Sequence, residues 1–203
     1  MAAFGFDSEV TRKVKAVDSN IESAFIKTGT LINLLKIESI IPPVAGIEKN
    51  ELLKIKLEVD INPPLGADYE VKYLLTPIPF YVRLFSASSL FAGKLHAILC
   101  RDWKSGRIKG RDFYDYVWYL SRSIPLNIHH LEERMKQTGH LKRHERLTPQ
   151  LVRELLEDKF TSLNYEQAKQ DVMPFVKDPL ALNLWSSGFF NSITRDKLMF
   201  YNP

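Results

Sequence analysis

Residues 94–120 read KLHAILCRDWKSGRIKGRDFYDYVWYL, and how this stretch folds decides the reading of the rest of the chain. The pattern predicts two helices joined by a basic loop. The first is expected from about Ser88 to Arg101, capped by Ser86 or Ser88, with Leu90, Phe91, Leu95, Ile98 and Leu99 as a broad apolar side. Lys94 and Arg101 lie about two turns apart and so project from one face. Trp103 to Gly110 reads as the loop, with Lys104, Arg107 and Lys109. The second helix is expected to begin near Arg111. On it Asp112 and Asp115 share a face, while Phe113, Val117 and Leu120 form the buried side. Packed as a hairpin, the two helices bring Lys94, Arg101, Arg111, Asp112 and Asp115 to one cleft, with both signs of charge to hold a phosphate and a metal. The same spacing also fits a plain helix start, with acids at the positive end of the macrodipole and Arg111–Asp115 as a surface pair.

Upstream, residues 52–61 give the clearest strand. Leu53, Ile55, Leu57, Val59 and Ile61 alternate with Lys54, Lys56, Glu58 and Asp60, and Pro63-Pro64 stops the run. Glu58 and Asp60 then sit on one face about 6–7 Å apart. That spacing suits Mg²⁺, a hard cation that takes carboxylate oxygens together with water and phosphate. A solvated face on which two lysines and two acids offset each other is the other reading. Residues 31–40 read as a strand paired antiparallel with 52–61 across a long loop, with a short buried helix as the other reading of so brief an apolar run. Residues 8–27 are expected as an amphipathic helix, from the spacing of Val10, Val14, Val17, Ile21 and Phe25, with Gly29 ending it. Tyr69–Leu75 and Phe80–Phe85 read as short strands broken at Pro77 and Pro79.

Downstream of the central pair the pattern is helical. Helices are expected over 126–135, over 148–160 (Thr148 as cap, Pro149 in the first turn), over 164–173 (capped by Asn164) and over 187–200. The fold class is therefore α+β: a small mixed or antiparallel sheet followed by a C-terminal helical bundle, with the expected division at 1–86 and 87–203.

Composition sets bounds on function. The chain has 203 residues, a net charge of +4 and a pI near 9.0, which permits an anionic partner without demanding one. No apolar run approaches the ~18 residues of a membrane helix. The first ten residues, MAAFGFDSEV, lack the basic and apolar regions of a signal peptide. A single cysteine, Cys100, excludes an internal disulfide framework and fits a reducing cytoplasm. The histidines predict no zinc site: His140 and His144 fall in a charged loop, His129 and His130 face apart on a helix, and no cysteine pair completes a set. There is no glycine-rich phosphate loop of the Walker or dinucleotide type.

The order Lys94, His96-Ala97, Arg101, then Lys109-Gly110-Arg111-Asp112-Phe113-Tyr114-Asp115 resembles the third motif of the AbiEii/AbiGii toxin family, the nucleotidyltransferase-like toxins of abortive-infection toxin–antitoxin systems. Lys56 to Pro64, and more weakly Asp171 to Val176 with Leu184-Trp185, extend the resemblance over about residues 8 to 200. It implies a partial nucleotidyltransferase fold ahead of a helical domain, and transfer of a nucleotide from an NTP to an acceptor such as tRNA. It also implies Mg²⁺ on the triphosphate and an antitoxin protein as partner. Carried over by position, Glu58 is the acid of the central strand, with Asp60 beside it as a second metal ligand. Lys94 contacts phosphate, Arg101 and Arg111 offset triphosphate charge, Asp112 is the essential acid, and Asp115 lies at the nucleotide. The family's first motif, Gly-Ser/Thr followed by an Asp-x-Asp pair, has no counterpart. Gly29-Thr30 is followed by no acidic pair, and Asp-x-Asp occurs nowhere. The chain is then either a truncated member, which is the expectation here, or one in which Glu58-x-Asp60 serves as the acidic pair. Two other function classes stay open: a catalytically silent module binding an antitoxin or RNA, and a metal-dependent nuclease.

Overall fold

A computed structural model describes residues 9–13, 21–29, 52–76, 78–101 and 108–201, with side chains from residue 58 onward. The chain divides into two compact units, residues 1–63 and 64–203.

The first unit carries an antiparallel sheet in the order β1 (Glu9–Lys13), β2 (Ile21–Gly29) and β3 (Leu52–Asp60). Lys13 lies opposite Ser23, and Ile21 lies opposite Asp60. The helix expected over 8–27 does not form; β1 and β2 stand in its place. Val10, Thr11, Ile21, Ile26 and Thr28 are β-branched, stiff at χ1 and suited to a pleated surface, so pairing overrides the helical spacing. The strand expected over 52–61 forms as β3, but its partner among the described residues is β2. The expected strand over 31–40 lies outside the described residues.

The second unit opens with an antiparallel pair, β4 (Tyr69–Leu74) and β5 (Phe80–Phe85), with Tyr69 opposite Phe85. Helix α1 (Ala87–Cys100) follows at once, capped by the Ser86 hydroxyl, which accepts from the Ser89 amide at 3.2 Å. Helix α2 spans Gly110–Ser121, so Gly110 begins the helix rather than ending the loop. Then come β6 (Leu126–Asn127), α3 (Ile128–Gln137), α4 (Pro149–Ser162) and α5 (Tyr165–Val172). After two short 3₁₀ turns, α6 (Ser187–Lys197) leads to β7 (Phe200–Tyr201), which pairs parallel with β6. Thr148 and Asn164 cap α4 and α5 as their sequence positions predict.

The core of this unit is aromatic. Phe91, Phe113, Tyr116, Phe160 and Phe190 are fully buried, and the Phe160 and Phe190 rings stack 5.0 Å apart. The Tyr116 hydroxyl, buried at its centre, is satisfied by Thr194 at 2.7 Å. Asn127 ties the start of the unit to the helices. Its amide donates to the Gly66 carbonyl, the Asp68 carboxylate and the Ser89 hydroxyl, while its oxygen caps α3 at His130. No helix among the described residues is long and apolar enough to cross a membrane.

Glu132 is a buried acid with a structural task. It accepts from Lys136 at 2.6 Å, from Arg146 at 3.1 Å and from the Leu147 amide at 2.7 Å, pinning the segment after α3 onto that helix. Burial works against its charge. The hydrogen bonds from Lys136 and Leu147 and the charges of Lys136 and Arg146 outweigh burial and hold its pKa below the usual value. A lowered folded pKa gives stability that is present above the unfolded value of 4.5 and is lost as pH falls through the folded one. Glu132→Gln is expected to cost about 2–3 kcal/mol at pH 7, and the gap to the parent is expected to narrow below about pH 4 in urea titrations. A pH-independent gap would remove the ionic part of this account.

Candidate functional site

Helices α1 and α2 are cross-linked by two ion pairs. Lys94 Nζ lies 2.6 Å from Asp115 Oδ2, and Arg101 Nη1 pairs with Asp112 Oδ2. The two-turn spacing of the bases meets the one-turn spacing of the acids because the basic residues of α1 face the first turns of α2. The pairs differ in setting. Lys94 and Asp115 are 42% and 36% exposed, so that pair is worth little in stability. The Asp112 side chain is only 11% exposed, and its pair with Arg101 is the one that fixes geometry.

Lys94, Arg101 and Asp112 line an open cleft of about 340 Å³, together with the small residues Ser89, Gly93 and Ala97 of α1 and with His130 and Arg134 of α3. Of the residues expected there, Asp115 reaches the cleft through Lys94. Arg111 goes elsewhere: it is exposed, with its guanidinium 4.8 Å over the Phe175 ring. Arg134 and His130 were not foreseen. Both lie on α3, whose helical pattern was legible but whose facing toward α1 was not. His130 Nδ1 is 2.8 Å from the Leu65 carbonyl, and burial, followed by the charge of Arg134, lowers its pKa despite that bond, so the ring is neutral near pH 7. The cleft thus brings together Lys94, Arg101 and Arg134, with Arg101 paired to the lining acid Asp112 and Lys94 to Asp115 outside the lining, a charge pattern able to take an anion such as phosphate.

In the first unit, Glu58 and Asp60 fall at the end of β3 and are both exposed. Asp60 Oδ1 accepts from the Asn62 amide at 3.0 Å, which orients the carboxylate at the strand end. Two exposed carboxylates on alternate residues of one strand are the hard oxygen donors that a divalent cation such as Mg²⁺ takes.

A further grouping escaped the sequence reading. His96 and Cys100, one turn apart on α1, meet His140 from the segment after α3. The signal available was the four-residue spacing of His96 and Cys100 on a predicted helix.

Comparison with curated proteins gives no match, and comparison with solved structures gives none either. A family model described as nucleotidyl transferase AbiEii toxin, type IV toxin–antitoxin system, matches residues 3–189, which contain β1 to β6, the α1–α2 cleft and the acids of β3. With nearly its whole length inside that match, the chain belongs to the AbiEii family of nucleotidyl transferase toxins.

Proposed function

We propose that the chain transfers a nucleotide from an NTP to an RNA acceptor such as tRNA, with Mg²⁺ as the divalent ion and an antitoxin protein as its regulator. The observation that carries this reading is the cleft itself: Lys94 and Arg101 stand two turns apart on one helix, each held by a carboxylate of the next. Nucleotidyl transfer asks the protein mainly to position the triphosphate and offset its charge. Lys94 is assigned to phosphate contact. Arg101, oriented by the buried Asp112, presents a planar fork matched to phosphate oxygens. Glu58 and Asp60 are the residues assigned to the divalent ion, which when bound would neutralise phosphate charge and polarise the α-phosphorus.

Calorimetric titration of the chain with each NTP, with and without Mg²⁺, tests the proposal. At least one NTP is expected to bind in a metal-dependent way, with Lys94→Ala weakening it at least about tenfold, the worth of one charge-assisted contact. At a hundredfold excess over Kd the same ligand should stabilise the fold by about 2.7 kcal/mol. Silence with all four NTPs would favour the second reading, a module that binds RNA or an antitoxin without chemistry. The absence of an Asp-x-Asp pair and the engagement of Asp112 and Asp115 by cations support that alternative.

A further inference from the structure

We propose that His96, Cys100 and His140 form a site for one borderline-soft divalent metal ion, with Zn²⁺ as the occupant. The three residues each offer one ligand atom, and these atoms lie within 4.8 Å of one another, close enough for small side-chain adjustments to close on an ion. The set is two imidazoles and a sulfur with no carboxylate, a donor chemistry that selects Zn²⁺ over the hard Mg²⁺.

The surroundings prepare both rings. Helix α3 ends in a paired-turn cap: the His140 amide donates to Met135 O at 2.9 Å and the Gly139 amide to Lys136 O at 3.2 Å, with Gly139 at φ +76°. This turn brings His140 back toward α1. The Thr138 hydroxyl then lies 2.9 Å from His96 Nε2, 2.9 Å from His140 Nδ1 and 3.0 Å from the Arg134 carbonyl. A hydroxyl has one proton, and the carbonyl can only accept it. With the hydroxyl proton on that carbonyl, both rings donate to Thr138, which leaves the lone pairs on His96 Nδ1 and His140 Nε2. Fixing the tautomer by a hydrogen bond at the far nitrogen is what supports a histidine ligand to a metal.

Ligation by Cys100 is coupled to loss of its thiol proton, so binding at this site releases a proton. Cys100 and His140 also border a cavity of about 570 Å³, which gives the ion access and room for a fourth ligand such as water. A rival grouping, His129 with Glu132 and Glu133, is already committed through its acids to Lys136 and Arg146.

The test is titration of the full chain with Co²⁺ in the absence of nucleotide, so its outcome is independent of the transferase reading. One equivalent is expected to give the visible bands of tetrahedral cobalt and a near-ultraviolet thiolate-to-cobalt band, both bleached by Zn²⁺. Cys100→Ser should remove the charge-transfer band. His140→Ala, at an exposed position that leaves the core untouched, should weaken binding about tenfold or more, and Thr138→Val should do so through the rings it orients. No thiolate band, or cobalt binding unchanged in Cys100→Ser and His140→Ala, would overturn the proposal.

Discussion

Asp112→Ala is expected to slow nucleotide transfer by about a hundredfold or more while costing only about 1–2 kcal/mol of stability. The asymmetry follows from where the two partners sit. The Asp112 side chain is nearly buried at the start of α2, whereas Arg101 is 34% exposed on the rim of the cleft. Removing the acid leaves a guanidinium that water reaches, so the folded state loses one partly screened ion pair. Under the proposed function the cleft loses more, because the carboxylate that helps orient the Arg101 guanidinium is gone, and displacement of a positioning group by about 1 Å is worth about two orders of magnitude in rate. Arg101→Ala should show the reverse balance in stability. It leaves the buried carboxylate without its cation and is expected to cost about 3 kcal/mol, at the low end for breaking a buried pair because the helix N-terminus still favours the charge. Urea unfolding and single-turnover transfer on both variants separate the two effects. An Asp112→Ala protein that is stable and fully active would remove Asp112 from the site.

Arg101 and Asp112 were readable because both lie on helices whose caps and apolar stripes are local signals. Ser86, Thr148 with Pro149, and Asn164 each mark a helix start, and each caps the helix it was assigned. The facing of α1 on α2 followed from Phe91, Leu95 and Ile98 on one and Phe113 and Leu120 on the other, all buried. What failed was non-local. Val10, Val14, Val17, Ile21 and Phe25 recur at helical spacing, yet Val10 lies in β1 and Ile21 and Phe25 lie in β2, because β2 pairs with a strand near residue 56, beyond the reach of any short window. Asp18-Ser19-Asn20, a turn-prone triplet inside the supposed helix, was the local warning. Hairpin packing of the two helices, read from sequence, brings Arg111 to the cleft, but its outlet is Phe175, sixty-four residues away in sequence. The His96–Cys100–His140 grouping was missed for a similar reason. Two members share a helix face, but the third arrives through the turn after α3, and only the packed structure supplies it.

Gly110→Ala is expected to be the most damaging single methyl in the second unit, costing about 4 kcal/mol or more and lowering Tm by roughly 10 °C. The sequence makes Gly110 look like a loop residue next to the charged motif. In the fold it is the buried first residue of α2, and a Cβ there would lie 1.8 Å from the Ala168 carbonyl oxygen and 2.8 Å from its carbon. Those atoms are backbone of α5, so no side chain can swing aside and two helices must separate. Ala168 is fully buried, so separation opens the packing around it and shifts the start of α2, where Asp112 holds Arg101. Gly93→Ala is the matched control. Gly93 lies in the interior of α1, where the nearest atom to an added Cβ is Arg134 Cζ at 4.0 Å. There the same methyl meets ordinary contact and removes the entropic cost of a helical glycine, so it is expected to stabilise by about 0.5–1 kcal/mol. Thermal unfolding of the pair decides the matter by sign. Equal small effects at both positions would mean that α2 and α5 do not approach as closely as Gly110 requires, and the orientation of Asp112 would need another cause.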